Sequence, residues 1–409
     1  MNAPWRTRLA DPLFGVICAL GIAQITAWGT SYYCLGVLAA SIIAETGWSR
    51  SLVFSGFTAG LLAIGVVSPW AGRLIDQYGA RTVMTIGTVL VSAGLYALST
   101  VRGEAAYLAI WAFLGVGMRL VLYDAAFAAM VQVAPTRGRL AISYLTLFGA
   151  FASTVFWVIG HYLNEAYGWR QTLVIFAAIQ LLVCLPLNWF GLAWRDAENR
   201  AATPAEKARA ARNGPTLTGG ARRMALMLFA LVMSLNGFIF GVVSVHLVPL
   251  LEAAGLTAAA AVWVASLKGF AQFAGRVVEI FFGSHLRAIT VGRIAIGVLP
   301  LSFVVLLLAG GNLFAILVFT LVMGAAQGVI TIVRGAVPLA LFSAEGYSTV
   351  LGLIATPVVV VNATAPTIFA LIVDHWGWRA GELVLLVTCA ASWIAMELMS
   401  RWYERARRL

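Results

Sequence analysis

A decapeptide in the first half, Gly72-Arg73-Leu74-Ile75-Asp76-Gln77-Tyr78-Gly79-Ala80-Arg81, recurs in weaker form in the second half. The copy reads Gly275-Arg276-Val277-Val278-Glu279. A second pair of matching tripeptides, Gly168-Trp169-Arg170 and Gly377-Trp378-Arg379, lies near the end of each half. The offsets of 203 and 209 residues are each about half of the 409-residue chain. Two similar halves of apolar helices are typical of transporters, in which half-bundles move about a site between them.

The composition indicates that most of the surface faces lipid. Hydrophobic residues make up 61% of the chain and charged residues 11%, whereas a soluble globule carries about 25% charged residues. A helix needs about 20 apolar residues to cross the hydrocarbon layer. The sequence therefore predicts an all-α membrane protein with twelve transmembrane helices, near 12–39, 51–75, 82–100, 105–133, 139–162, 170–194, 223–251, 258–282, 289–309, 313–341, 348–372 and 379–400.

The net charge of +11 would suit a nucleic-acid binder, but its placement argues for a topology signal instead. Eighteen arginine and lysine residues fall in alternate loops, against four in the opposite loops: Arg50, Arg102, Arg170 and Arg379. The positive-inside rule then predicts an inner-membrane protein with both termini and the 195–223 loop in the cytoplasm. We expect the first apolar run to be retained as a helix rather than removed as a signal peptide.

Motifs for metal, nucleotide or covalent chemistry are missing from the sequence. The four cysteines stand at unrelated spacings without a Cys-x-x-Cys or Cys/His cluster, which predicts no metal site. No Gly-x4-Gly-Lys-Ser/Thr loop occurs, so ATP-driven transport is not expected. We predict no cofactor and no enzymatic activity.

The long polar stretch 195–223, which includes Pro204 and Pro215, separates two apolar regions. It predicts an N-terminal six-helix bundle at 1–194, a cytoplasmic linker at 195–222 and a C-terminal six-helix bundle at 223–409.

The 72–81 run resembles the cytoplasmic loop signature of the major facilitator superfamily, although that pattern usually has more basic residues where Ala80 and Thr82 stand. The resemblance implies two pseudo-symmetric six-helix bundles with a cavity lined mainly by helices 1, 4, 7 and 10, in a protein that works as a monomer. We expect Arg73, Asp76, Arg81 and Glu279 to form a conformational gate at the helix ends. The alternative is a solvated turn.

Two further stretches resemble a bacterial branch near the monocarboxylate and oxalate carriers: 28–33 (Trp-Gly-Thr-Ser-Tyr-Tyr) and 152–157 (Ala-Ser-Thr-Val-Phe-Trp). Some metalloid-efflux carriers share these features. The antiporter branch usually places an arginine four residues before a Gly-x-Gly in helix 4, and Trp111 stands there in this chain. The resemblance therefore favours a carrier of small acids over a proton/drug antiporter.

The eighth predicted helix carries a polar stripe, because Lys268, Gln272 and Arg276 stand at i, i+4 and i+8. Its sequence also resembles helix 8 of monocarboxylate carriers, in which an aspartate four residues before an arginine serves proton coupling and carboxylate binding. Arg276 matches that arginine, and a guanidinium donates two parallel hydrogen bonds to a carboxylate. Gln272 takes the place of the aspartate and cannot carry a proton. Two alternatives remain open: Arg276 pairs with Glu279 at the helix end, and Lys268 reaches the membrane surface.

The fourth and tenth helices carry further charges at membrane depth. Arg119 and Asp124 are five residues apart, about 140° around a regular helix, so we do not expect them to pair. The repeat offset places Asp124 opposite Val333, beside Arg334. We expect an Asp124–Arg334 pair, with Arg119 and Arg334 assisting substrate binding and Asp124 as the proton-coupling acid. A permanent structural pair is the alternative.

Three other side chains have both functional and structural interpretations. His246 could carry a proton near neutral pH, or have a structural role near Pro249. Trp28 and Tyr32 could line the cavity and bind substrate, or belong to an aromatic belt at the membrane interface.

Together these features predict a secondary transporter that moves a small organic anion, a mono- or dicarboxylate, across the inner membrane by alternating access. Four cations against two acids at membrane depth favour an anion, and coupling would be to protons or by exchange. The alternative is proton-driven efflux of drugs or metalloids. The expected partners are the lipid bilayer, the substrate and protons, and no nucleic acid.

Overall fold

The computed structural model describes residues 12–194, 217, 219–283 and 285–406. Secondary structure in these residues is helical, without strands. Most of the predicted linker 195–222 lies outside the described residues, as do Arg6 and Arg8 near the first residue and Arg407 and Arg408 near the last.

The described part of the chain contains fourteen α-helices, three π-helical turns and one 3-10 turn. The α-helices are α1 (Pro12–Ala27), α2 (Cys34–Thr46), α3 (Arg50–Tyr78), α4 (Ala80–Ser99), α5 (Glu104–Val121), α6 (Tyr123–Val133), α7 (Gly138–Gly149), α8 (Ala152–Ile179), α9 (Leu185–Gly191), α10 (Gly219–Ala253), α11 (Ala258–Val278), α12 (Ala288–Leu308), α13 (Leu313–Phe342) and α14 (Tyr347–Ala406). The π turns are Trp28–Tyr32, Gln180–Cys184 and Glu279–Gly283, and the 3-10 turn is Leu192–Trp194.

Nine helical stretches in the described residues are long and apolar enough to cross a membrane. Two of them contain an internal break, at Gly168 (φ 76°, ψ 167°) and at Gly377 (φ 77°, ψ 170°). This backbone conformation suits glycine because glycine has no Cβ. Each broken stretch supplies two spans, and α11 is long enough for another, although its polar stripe lowers its hydropathy. With the two breaks and α11 counted, the described residues contain helices that correspond to the twelve predicted spans.

The sequence repeat has a counterpart in hydrogen bonding. In the first half, Arg170 Nη1 donates to Ser99 O (2.7 Å) and Val101 O (2.8 Å) at the end of α4. In the second half, Arg379 Nη1 donates to Leu307 O (2.7 Å) at the end of α12. Each arginine therefore caps the carbonyl end of a helix, where a positive charge is favourable.

The chain divides into two compact units. Unit 1 comprises Met1–Asn213 and Ala344–Thr356, and unit 2 comprises Gly214–Ser343 and Pro357–Leu409. The start of α14 thus packs with unit 1, whereas the sequence-based division assigns all of 223–409 to the C-terminal bundle.

Glycines bring one pair of helices close together in each unit. In unit 1, a Cβ on Gly115 of α5 would overlap the carbonyl oxygen of Gly60 in α3. In unit 2, a Cβ on Gly328 of α13 would overlap the carbonyl oxygen of Gln272 in α11. Small residues at such crossings allow helix backbones to approach closely.

Candidate functional site

A buried contact between charged groups lies at the break between α5 and α6 in unit 1. The helix is interrupted at Leu122 (φ −77°, ψ −169°), and Arg119 Nε lies 4.0 Å from Asp124 Oδ2. Both side chains are buried. The expectation that they do not pair was wrong, because the 140° separation assumed an uninterrupted helix. Discontinuous helices recur at the binding sites of transporters.

Neighbouring helices hold this break through hydrogen bonds. Arg119 Nε donates to Ser68 Oγ on α3 at 2.7 Å. Gln24 Nε2 of α1 donates to Val121 O at 2.7 Å, and this carbonyl is at the last residue of α5. Arg119, expected to bind substrate, therefore has partners inside unit 1. Ser68 and Gln24 were missed by the sequence analysis, since isolated polar residues in apolar helices show no pattern.

Aromatic rings surround Trp28 in unit 1. The Trp28 ring lies 4.8 Å from that of Tyr32 and 5.0 Å from that of Tyr123, measured between centroids. Tyr32 continues the cluster to Phe57 of α3 at 4.9 Å. Trp28 and Tyr32 begin and end a π turn, a distortion that is frequent at functional sites. We call Trp28, Tyr32, Phe57 and Tyr123 the aromatic cluster; the sequence analysis identified the first two.

Asp76 contacts the first turn of α14, within unit 1. Its carboxylate accepts hydrogen bonds from Ser348 N (3.2 Å), Thr349 N (2.8 Å) and Thr349 Oγ1 (2.6 Å). The start of a helix has free N–H groups and a partial positive charge, so it favours a carboxylate there. This pairing joins residues 273 positions apart in the sequence.

The other members of the expected gate have different surroundings. Arg81 Nε donates to Trp189 O at 2.7 Å, and its guanidinium carbon lies 4.0 Å from the centre of the Trp189 ring. Arg73 is exposed. Gln132 of α6, which the sequence analysis missed, accepts a hydrogen bond from Ala80 N (2.9 Å). Asp76 and Arg81 thus contact different helices.

The polar stripe on α11 packs against α13 in unit 2. Gln272 Nε2 donates to Gln327 Oε1, and Arg276 Nε donates to Gly328 O, each at 3.4 Å. Arg276 and Glu279 are buried. Lys268 Nζ lies 5.4 Å from the centre of the Phe240 ring. The stripe therefore faces protein, as expected for charged groups at membrane depth; Gln327 was missed.

Two further predicted site residues lie elsewhere in unit 2. His246 Nε2 is 3.0 Å from Pro366 O, and its ring centre is 5.2 Å from that of Phe369. These contacts favour the structural interpretation of His246. Arg334 lies on α13 and is half-buried. Asp124 belongs to unit 1 and Arg334 to unit 2, and the Asp124–Arg334 pair stays a prediction. Among the described residues, no group of three His, Cys, Asp or Glu side chains could hold a metal ion.

A model of the Major Facilitator Superfamily matches residues 20–311. "Uncharacterized MFS-type transporter YcxA" of Bacillus subtilis (strain 168) is 26% identical over 212 residues, which are 50% of this chain and 49% of that protein. Monocarboxylate transporter 6 of Mus musculus is 27% identical over 143 residues, 35% of this chain and 29% of that protein. The matches thus span at most about half the length of these relatives.

Solved structures match over nearly the whole chain. The human organic anion transporter MFSD10 (TETRAN) aligns with a TM-score of 0.72 and 17% identity, covering 94% of this chain and 99% of that chain. The proton:xylose symporter XylE aligns with a TM-score of 0.71 and 14% identity, covering 94% of this chain and 95% of that chain. At these identities the likeness shows a shared fold.

Proposed function

We propose that this chain carries a small organic anion, a mono- or dicarboxylate, by alternating access. The chain belongs to the major facilitator superfamily and is a multi-pass membrane transporter rather than an enzyme. Basic loops support a bacterial inner-membrane location with both termini in the cytoplasm. The carrier works as a monomer.

The observation that carries this proposal is the polar stripe on α11. Lys268 and Arg276 place two cations on one helical face at membrane depth, with Glu279 nearby. A charge in that environment costs about 2.5–3.5 kcal/mol on insertion scales. An excess of cations suits an anionic ligand, and the guanidinium of Arg276 matches a carboxylate. Arg276 is the principal substrate-binding residue in this proposal, with Lys268, Gln272 and Arg334 of the same unit assisting it.

Two of the similar proteins agree with an anionic substrate. One is named a monocarboxylate transporter and the other an organic anion transporter. The first is 27% identical over 35% of this chain, and the second is 17% identical. These names support the substrate class, and the cations on α11 are its main support.

Asp124 is the proposed proton carrier. Its carboxylate is buried at a helix break and lies 4.0 Å from the guanidinium of Arg119. Protonation would neutralise the Asp124 carboxylate, weaken its attraction to Arg119 and allow the helix break to rearrange. Asp76 has a different role: its hydrogen bonds to the start of α14 favour one conformation of the carrier.

The first experiment measures proton movement into proteoliposomes that contain a pH-sensitive dye. Lactate, pyruvate, formate, oxalate and a cationic drug are added in turn, with protein-free vesicles as the control. Acidification with one anion, above the protein-free signal, supports a proton-coupled anion carrier. A signal with the drug alone would contradict the anionic class.

The aromatic cluster favours a second candidate function, efflux of a drug or metalloid. Trp28, Tyr32, Phe57 and Tyr123 could hold an apolar or cationic cargo through their ring faces. Cells that lack the gene would then become sensitive to cationic drugs or arsenicals. Unchanged tolerance to both would exclude this candidate.

A further inference from the structure

The close helix pair of unit 1 is the structural counterpart of the close helix pair of unit 2. Gly115 packs on the Gly60 carbonyl between α5 and α3, and Gly328 packs on the Gln272 carbonyl between α13 and α11. The corresponding residues are 213 and 212 positions apart in the sequence. This correspondence pairs Arg276 with Ile64, so it corrects the 203-residue offset of the sequence repeat, which pairs Arg276 with Arg73. Both pairs thus have the same local backbone arrangement.

The side chains at equivalent positions differ in polarity. Unit 2 has Lys268, Gln272 and Arg276 on α11 and Gln327 on α13. The same offsets place Gly56, Gly60 and Ile64 on α3 and Leu114 on α5. The unit 1 pair packs closely without polar side chains at these positions. Packing alone therefore does not explain the four polar residues of unit 2.

Gln327 has an unused hydrogen-bond donor. The residue is 6% exposed, and its Oε1 accepts the hydrogen bond from Gln272 Nε2 at 3.4 Å. Its Nε2 has no hydrogen-bond partner among the residues that the structure describes. Buried amide donors are nearly always satisfied, because leaving one unpaired is costly. A ligand oxygen would satisfy this one.

The donor lies beside the proposed anion site. Gln327 contacts Gln272, which stands one helical turn from Lys268 and one from Arg276. The next residue of α13, Gly328, accepts the hydrogen bond from Arg276 Nε. A ligand held by Arg276 would therefore come close to the Gln327 amide. A neutral amide does not add to the attraction of the anionic charge. Its N–H donor instead favours ligands that have an oxygen acceptor at this position over ligands that lack one.

We propose that Gln327 is a specificity-determining residue whose amide nitrogen donates to a second acceptor oxygen of the transported anion, beyond the carboxylate bound by Arg276. This inference rests on the proposed function. It assigns to unit 2 a neutral subsite that distinguishes anions with such an oxygen from plain aliphatic acids of the same size.

The test compares pyruvate with propionate, which have similar size but differ in the oxygen on the second carbon. Purified protein in detergent is titrated with each acid, and the dissociation constant is obtained from thermal stabilisation. The test variant is Gln327→Leu, because leucine is the residue at the equivalent position of unit 1, Leu114. The control variant is Thr320→Val. Thr320 is buried on the same helix, and its hydroxyl donates to Ile316 O, its one hydrogen-bond partner among the described residues.

We expect the unsubstituted protein and Thr320→Val to bind pyruvate about tenfold more tightly than propionate. In Gln327→Leu this preference should disappear, while propionate affinity stays within about twofold because its single carboxylate does not use the amide. Equal affinities in the unsubstituted protein, or a preference that survives in Gln327→Leu, would overturn this inference alone. If neither acid stabilises the protein, the monocarboxylate form of the proposed function fails as well.

Discussion

Arg119 Nε and Asp124 Oδ2 lie 4.0 Å apart across a helix break at Leu122. Both groups are buried, and Ser68 Oγ accepts a hydrogen bond from the same guanidinium nitrogen. A buried pair of this kind is strongly coupled, because removing one charge leaves the other uncompensated. Protonation of Asp124 would therefore change the interactions of α3, α5 and α6 together.

Asp124→Asn should reduce proton-driven accumulation of substrate at least tenfold while counterflow exchange stays within about threefold, because an amide keeps the shape but cannot carry a proton. Accumulation and counterflow are measured in the same proteoliposomes. His246→Asn is the comparison and should retain accumulation, since His246 contacts Pro366 O in a structural arrangement. Loss of exchange in Asp124→Asn would instead indicate a permanent structural pair.

Arg276→Ala should lower anion affinity about a hundredfold, because a charge-assisted, bidentate contact with the carboxylate is lost. Arg276→Lys should recover part of this affinity, since lysine keeps the positive charge but cannot donate two parallel hydrogen bonds. Binding is measured by thermal stabilisation with the best anion. Arg293→Ala is the matched control because Arg293 of α12 pairs with Glu397 of α14 at 2.7 Å, so this substitution should lower stability without changing affinity. Unchanged anion affinity in Arg276→Ala would contradict the proposed substrate site.

Asp76→Asn should lower stability by about 1–2 kcal/mol, because it removes the charge from hydrogen bonds at a helix start. Thr349→Val removes one of these bonds and should have a smaller effect. The two substitutions should be non-additive in thermal denaturation, since both act on the same contact of 2.6 Å. Simple additivity would show that Asp76 acts through other partners.

Arg170→Ala and Arg379→Ala should both destabilise the protein, because each arginine caps the end of a helix. Both arginines also contact a carboxylate, but Arg170 Nε lies 2.7 Å from Glu45 Oε1, whereas Arg379 Nη1 lies 3.4 Å from Glu382 Oε2. Arg170 also donates to a second carbonyl, so its removal should cost more, about 2–3 kcal/mol. The melting temperature of each variant in detergent shows which substitution destabilises the protein more. Anion affinity should change in neither variant, since no proposed substrate residue is among the partners. A larger loss in Arg379→Ala would contradict the structural ranking.

Much of the candidate site follows from local patterns in the sequence. The stripe of Lys268, Gln272 and Arg276 was evident from helical spacing, and the structure places it against α13. Gln132 and Gln327 could not be identified in this way. Each lies in a mostly apolar helix, and its role depends on a partner helix that lies elsewhere in the sequence.

The sequence by itself predicted the helical membrane fold, its spans and the matching tripeptides at 168–170 and 377–379, because hydropathy and helical spacing act over neighbouring residues. Only the tertiary structure decided which charged groups meet. Arg119 approaches Asp124 because the helix breaks at Leu122, and Asp76 reaches Thr349 across 273 residues because α3 packs against the start of α14. Such contacts depend on how distant helices pack, since a hydrogen bond or ion pair requires atoms within a few ångströms.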